Sequence, residues 1–364
     1  MEQSKKKRSL FSRILKVIGI CIGVILLLVI GFLGFLTVAE YRPSDLESIT
    51  VEGTANKNLS TGDTVTLMTW NIGYGALDEN SDFFLDGGTM VRAESKEAVL
   101  RNMDGIAQTI VAVQPDILLI QEVDRDSARS CGVNEYTYLQ EHLSGYDNAF
   151  AMNYKAALVP YPLPKTLGKV DAGIASFSAY KMQTAERIQL PVPFSWPMST
   201  INLKRCLLVS RIVIENSDRE LVIVNLHLEA YDDGEGKLAQ TKVLADLLRT
   251  EAEKGNYVIA GGDFNQIFSS ADQNAYPLYG ENWAAPVIDV TQFGDGFAFL
   301  MDETVPSCRL LNMPYQNADH ETFQYYLIDG FIVSSNLIVE SMETQDLGFA
   351  YADHNPLVLR ATLS

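Results

Sequence analysis

Tyr257-Val258-Ile259-Ala260-Gly261-Gly262-Asp263-Phe264-Asn265 is an apolar run that ends in two glycines, followed by an acid and an amide two positions apart. The run is long enough for one buried strand. The glycines let the backbone turn tightly or let another group approach it closely. Side chains alternate along an extended segment, so Asp263 and Asn265 face the same way. An acid and an amide set side by side at a strand end can bind a metal, or grip a phosphate and its attacking water. The same residue types also make ordinary turns, so the reading depends on the rest of the chain.

The pattern recurs. Thr66-Leu67-Met68-Thr69-Trp70-Asn71, Ile117-Leu118-Leu119-Ile120-Gln121-Glu122, Leu221-Val222-Ile223-Val224-Asn225-Leu226-His227 and Tyr326-Leu327-Ile328-Asp329 are apolar strands that carry or end in a polar residue. Ala352-Asp353-His354-Asn355-Pro356 precedes a last apolar run. One buried acid costs several kcal/mol unless it is paired or holds a metal. Several such strands imply that one edge of the sheets shares a polar site. That site would hold the acids Glu122, Asp263, Asp329 and Asp353, the amides Asn71 and Asn265, and the imidazoles of His227 and His354. So oxygen-rich a set favours Mg²⁺ or Mn²⁺ over zinc. An ion, an oriented water and a general acid or base are the parts needed to hydrolyse a phosphate ester. The sequence has no Ser- or Cys-centred nucleophile motif, no Walker loop and no dinucleotide fingerprint.

Helical spacing appears over Glu94–Val113, ended by Pro115, and over Lys237–Lys254, ended by Gly255. Leu207–Ile214 and Glu220–Leu228 read as a hairpin around Glu215-Asn216-Ser217-Asp218. Residues 75–93 form a long loop of the kind that frames a site. Residues 153–169, with Pro160, Pro162 and Pro164, read as irregular, and 266–320 as loop-rich. Helices alternate with strands in places and hairpins occur elsewhere, which predicts an α/β fold of mixed sheets covered by helices.

The 364 residues carry 28 basic and 46 acidic side chains, a net charge of -18. Six of the basic residues and only two of the acids fall in the first 40 positions, so the remainder is more acidic still. Bulk attraction to nucleic acid or anionic lipid is therefore excluded, though a bound ion can still capture phosphate locally. Lys5, Lys6, Lys7, Arg8, Arg13 and Lys16 precede 23 uncharged residues, Val17–Ala39. This arrangement predicts a basic cytoplasmic tail over 1–16 and a transmembrane helix over 17–39. A linker over 40–64 and one catalytic domain over 65–364, outside the cell membrane, complete the expected organisation. Thr37 and Ala39 leave a weak cleavage pattern, so a processed form is the alternative. Three cysteines outside the span, Cys131, Cys206 and Cys308, suit no zinc site and allow at most one disulfide.

The ordered series Trp70-Asn71, Gln121-Glu122, Asn225-Leu226-His227-Leu228, Gly262-Asp263-Phe264-Asn265, Ile328-Asp329 and Asp353-His354 resembles the endonuclease/exonuclease/phosphatase superfamily across residues 65–364. That group includes deoxyribonuclease-I-like nucleases, abasic-site endonucleases, neutral sphingomyelinases and inositol-phosphate phosphatases. The resemblance implies a four-layer α/β sandwich, two packed mixed sheets flanked by helices, and Mg²⁺ or Mn²⁺ dependence. It also implies residue roles. Glu122 is the main metal-binding acid with Asn71 beside it, and Asp353 is a further metal ligand. Asp263 and Asn265 align water and phosphate. His354 is oriented by Asp329, and His227 assists the leaving group. Two departures stand out. The last motif reads Ala352-Asp353-His354-Asn355, without the usual Ser before it or basic residue after it. Ser178-Ala179 replaces a Ser-Arg pair, a loss that Lys204-Arg205 can offset unless they form a solvated strand edge.

The expected activity is thus metal-dependent hydrolysis of a phosphate ester, a diester before a monoester. The substrate, nucleic acid or lipid headgroup, stays open. A silent binding domain that keeps the fold is the rival of another class. Asp319-His320 repeats an Ala-Asp-His triplet but is assigned to a loop. His142 is assigned to the surface, and Asp232 and Asp233 to a loop.

Overall fold

A computed structural model describes residues 2–232 and 234–364, the side chains of residues 2–10 excepted. Asp233 lies outside the described residues. Two seven-stranded sheets face each other. The first runs, in spatial order, Leu46–Ile49, Met182–Gln189, Cys206–Val213, Glu220–His227, Tyr257–Asp263, Asp329–Ser334 and Phe297–Leu300. The second runs Leu337–Thr344, Leu357–Leu363, Thr64–Asn71, Ile117–Asp124, Gly168–Ser178, Asp147–Val159 and Glu52–Gly53.

Among the described residues four α-helices accompany them: α1 (Glu2–Ala39), α2 (Lys96–Val113), α3 (Glu135–His142) and α4 (Glu235–Glu253). Each sheet has one parallel pair near its middle, and a helix makes each crossover. Thr64–Asn71 leads through α2 to Ile117–Asp124, and Glu220–His227 leads through α4 to Tyr257–Asp263. Parallel neighbours need such a crossover, because a tight turn can join only antiparallel strands. Both units end their strands in the same direction. Their C-terminal ends carry Asn71, Glu122, His227 and Asp263, the place where α/β sheets commonly receive ligands.

Three apolar clusters make the layers. Leu67, Leu119, Ile223, Ile259 and Phe331 belong to the core between the sheets. Val99, Met103, Ile106 and Leu139 join α2 and α3 to the second sheet. Leu244 and Leu248 join α4 to the first. The result is the four-layer α/β sandwich expected from the sequence. One polar pair crosses the middle: Gln121 Nε2 donates to Asn225 Oδ1 at 2.8 Å, and Asn225 Nδ2 donates to the Ala175 carbonyl at 2.8 Å. Asn225 is therefore a strut between the sheets, with its buried amide satisfied at both ends.

Several local expectations change. Residues 40–64 are no free tether: Leu46–Ile49 pairs with Met182–Gln189 and Glu52–Gly53 pairs with Asp147–Val159. Asn153–Val159 is the end of a strand, so the proline-bearing loop shrinks to 160–167. The run Tyr326-Leu327-Ile328-Asp329, expected as one strand, is broken: Tyr325–Tyr326 and Asp329–Ser334 are separate strands. All four cysteines are free thiols. Phe11–Ala39 of α1 is long and apolar enough to cross a membrane.

Candidate active site

Gly261 and Gly262 are required by packing. A Cβ on Gly262 would lie 2.0 Å from the Leu226 carbonyl oxygen, and one on Gly261 would lie 2.6 Å from the Phe331 ring. Their absence of side chains lets the strand close onto both neighbours and delivers Asp263 between two partners. Asp263 is opposite His227 on the parallel side and opposite Asp329 on the antiparallel side.

All eight sequence-predicted residues meet here, and only Glu122 is more than slightly exposed. Asn71 is the hub. Its Oδ1 accepts the Gly73 N–H at 3.0 Å, which turns its NH₂ toward the acids. Nδ2 then donates to Asp263 Oδ2 at 3.0 Å and Glu122 Oε1 at 3.3 Å. His354 Nδ1 lies 2.8 Å from Asp329 Oδ2, while its Nε2 faces Asp263 at 3.8 Å and Asp353 at 3.9 Å. His227 Nε2 is 3.4 Å from Asp263 Oδ2. Asp263 Oδ1 accepts the Asn265 N–H at 2.8 Å, and the Asn265 amide is held by the Leu228 carbonyl at 3.0 Å.

The backbone is strained where the site needs it. Glu122 has φ of 56° and Asn265 of 50°, in the left-handed region that non-glycine residues rarely occupy. Glu122 sits where the register with Gly168–Ser178 shifts between Ile120 and Val123. Such bulges re-aim side chains next to functional sites.

The sequence profile of the Endonuclease/Exonuclease/phosphatase family matches residues 68–354. The chain belongs to that family. Solved structures share its fold. An endonuclease/exonuclease/phosphatase from Beutenbergia cavernae DSM 12333 is 16% identical, covering 83% of this chain and 72% of that one, with a TM-score of 0.56. One from Bacteroides vulgatus is 18% identical, covering 83% and 100%, with a TM-score of 0.51. A humanized D. rerio TDP2 is 13% identical, covering 82% and 99%, with a TM-score of 0.50. No protein of curated function matches the chain.

Members of the endonuclease/exonuclease/phosphatase family are phosphoester hydrolases that generally use divalent ions, and the residues here fit one. The oxygen donors turned into the site are carboxylates, which suit a hard cation; Asn71, expected to join them, faces the acids with its NH₂ because its oxygen is held by the Gly73 N–H. The buried oxygens Asp353 Oδ1 and Asp329 Oδ1 have no hydrogen-bond partner, a costly arrangement that a bound group would relieve. Glu122 keeps its carboxylate partly open beside them.

Charge is sorted between the two imidazoles. Burial, with the positive charges of Arg205, His354 and Arg129, pushes His227 well below the ordinary histidine value. Burial works against charge on His354 too, but Asp329, Cys308 and Asp353 outweigh it and raise His354 well above that value. Burial and the Asp329 charge push Asp263 up to about 7. Burial, with Glu122 nearby, pushes Asp353 up to about 6.

Sequence reading missed Arg129 and Ser307. Arg129 pairs with Asp124 at 2.9 Å and reaches Glu122 at 3.6 Å, with Tyr74 under its guanidinium at 3.8 Å. Two acids and an arginine within eight positions were a visible signal. Ser307 Oγ accepts the Ile328 and Asp329 N–H groups and so fixes the strand break before Asp329. Nothing in the pattern marks it. Lys204 and Arg205 are buried and paired, not a solvated edge: Lys204 with Glu40 at 3.0 Å, Arg205 with Glu229 at 3.3 Å. His142 is exposed at the end of α3, stacked on Tyr138. His320 contacts Tyr325 in an exposed loop. Asp232 accepts the Gly236 N–H and pairs with Lys237 at the start of α4.

Proposed function

We propose that the chain is a membrane-anchored, divalent-metal-dependent phosphodiesterase. The observation that supports it most is the position of Asp263, with Asn71, His227 and the Asp329–His354 pair gathered around one carboxylate. Glu122 and Asp353 would hold Mg²⁺ or Mn²⁺, and Asn71 would add its oxygen only with its amide turned over from the orientation that the Gly73 N–H sets. When bound, such an ion supplies positive charge to a phosphate oxygen.

The chain's own residues do the rest. Asp263 stands where a general base works near neutral pH and takes a proton from the attacking water. Asn265, with its backbone fixed through Asp263, orients water and phosphate. His354, paired to Asp329 through Nδ1, presents a protonated Nε2 to the charge that develops on phosphorus-bound oxygen. His227, held neutral, steadies the leaving oxygen by hydrogen bonding. Two imidazoles whose environments drive them apart divide the work of acid and neutral donor.

A diester fits better than a monoester. Arg129, Lys204 and Arg205 are all paired with acids. Among the described residues this leaves Arg309, held by the Asp78, Ser81 and Leu310 carbonyls, as the unpaired guanidinium near Asp353; one such charge suits a monoanionic diester better than a dianion. Nucleic acid and lipid headgroups both supply diesters. The N-terminal helix is read as a single-pass anchor, with residues 1–16 cytoplasmic and 41–364 outside. A soluble aryl phosphodiester and the matching monoester, offered with Mg²⁺ or Mn²⁺ and again with chelator, test this reading. Metal-dependent cleavage of the diester in preference is expected; cleavage of the monoester alone would overturn it.

A further inference from the structure

The end of α1 is clamped to the domain. Trp196 Nε1 donates to Thr37 Oγ1 at 3.0 Å. Lys204 Nζ pairs with Glu40 at 3.0 Å, and both side chains are only 9% exposed. Leu36, in the last turns of an otherwise exposed span, is buried. This pair and the Trp196–Thr37 bond hold the end of α1 against the domain, where a free tether would have no such contacts.

Exposed apolar side chains gather beside the clamp. Trp196 and Met198 are 58% and 51% exposed, Tyr161 and Leu163 57% and 80%. They sit on two loops joined by one apolar cluster, in which Ile201, Leu203 and Phe84 lean on Tyr154, Val159 and Leu167. The Tyr161 ring lies 5.5 Å from that of Phe84. Apolar exposure on two loops that share one cluster suits an interaction surface, and tryptophan and tyrosine beside the end of a membrane span suit its interface. The next residue along the chain reaches the site: Arg205 Nη1 donates to the His227 carbonyl at 3.1 Å. Lys204 and Arg205 thus join the anchor's end to the strand that carries His227.

We infer that the rim of Tyr161, Leu163, Trp196 and Met198 seats on the bilayer that α1 enters, and holds the site at headgroup level for a lipid phosphodiester of the same leaflet. The substrate part rests on the hydrolase reading above; the seating does not.

The test uses the full chain in phosphatidylcholine vesicles with nitroxide-labelled acyl chains. Tryptophan emission should be quenched, Trp196→Phe should lose the quenched part, and Trp283→Phe should keep it. Leu163→Glu with Met198→Glu should weaken quenching at least twofold while melting stays unchanged. Trp196 emission quenched by aqueous iodide and not by lipid would overturn the seating. Shielding from both quenchers together with cross-linked dimers would overturn it in favour of a second copy. The substrate part is read on vesicles of sphingomyelin, phosphatidylglycerol and phosphatidylcholine beside a soluble aryl diester. Cleavage of the aryl diester with no release from any vesicle would overturn the headgroup substrate. No cleavage of either would instead remove the hydrolase reading and leave the quenching result standing.

Discussion

Asp329→Asn changes one atom of the site and keeps its shape. Asp329 Oδ2 is 2.8 Å from His354 Nδ1, and both side chains are buried. Opposite charges about 4 Å apart at an effective dielectric of about 20 attract by about 4 kcal/mol. Asparagine keeps one hydrogen bond, and relaxation recovers more, so a loss of about 2–4 kcal/mol is expected. If His354 acts in the slow step, turnover falls about 30- to 1000-fold, at about 1.4 kcal/mol per factor of ten. His354→Ala should fall at least as far. The carboxylate's direct partner is the imidazole, and its charge also raises Asp263, so the double variant should be only slightly slower than His354→Ala alone. The assay is metal-saturated turnover of an aryl phosphodiester by proteins whose melting curves show them folded. Losses that multiply in the double variant would refute the dyad. So would an Asp329→Asn protein that melts lower but turns over normally.

Other outcomes follow from single residues. Glu122→Gln should leave melting of the metal-free protein nearly unchanged and move the Mn²⁺ midpoint of thermal stabilisation at least tenfold upward, because a neutral amide replaces a hard anionic oxygen; an unmoved midpoint removes Glu122 from the metal site. Gly262→Ala should cost about 3 kcal/mol or more in a denaturant titration, since its Cβ would sit 2.0 Å from the Leu226 carbonyl; a loss below about 1 kcal/mol contradicts the packing described. Burial raises the Glu251 carboxyl, but hydrogen bonds from Arg211, Lys254 and Asn256 more than reverse this and bring it from 4.5 to about 2. Its folded value is below its unfolded one, so its stabilisation is present above about pH 4.5 and fades as pH falls toward about 2. Allowing for solvent around the Arg211 side, Glu251→Gln should cost about 1–2 kcal/mol at pH 7 and almost nothing near pH 2; an equal cost at both would show that the charge is not responsible.

The strands that form the site were legible because burial on both faces makes them continuous apolar runs with a polar terminus. Ile117–Asp124, Glu220–His227 and Tyr257–Asp263 have that form, and Thr64–Asn71 approaches it, with threonines at 64, 66 and 69. Edge and outer strands did not show. Leu337–Thr344 alternates exposed and half-buried positions, and Leu46–Ile49 lies at a sheet margin. Helix α3 is only eight residues and mostly polar, so periodicity could not reveal it; its Asn134 cap, which accepts the Thr137 N–H, was the one local sign. The eight site residues were readable as types at strand ends. Their sorting was not. That His354 faces Asp329 and His227 faces Asp263 depends on which strands neighbour Tyr257–Asp263, and pairing across 25 to 66 positions leaves no local trace. Asn225 illustrates the limit: its motif was visible, but its work as a strut appears only when the sheets are packed.

The central claim is that these eight residues form a metal-dependent site for hydrolysing a phosphodiester. Turnover of a soluble aryl phosphodiester by the full chain, titrated with Mn²⁺, tests it most directly when Asp263→Asn and His354→Ala are run beside it. Turnover should rise with the ion in the unaltered protein and fall at least a hundredfold in both folded variants. Turnover that ignores the ion, or a folded His354→Ala protein of full activity, would contradict it.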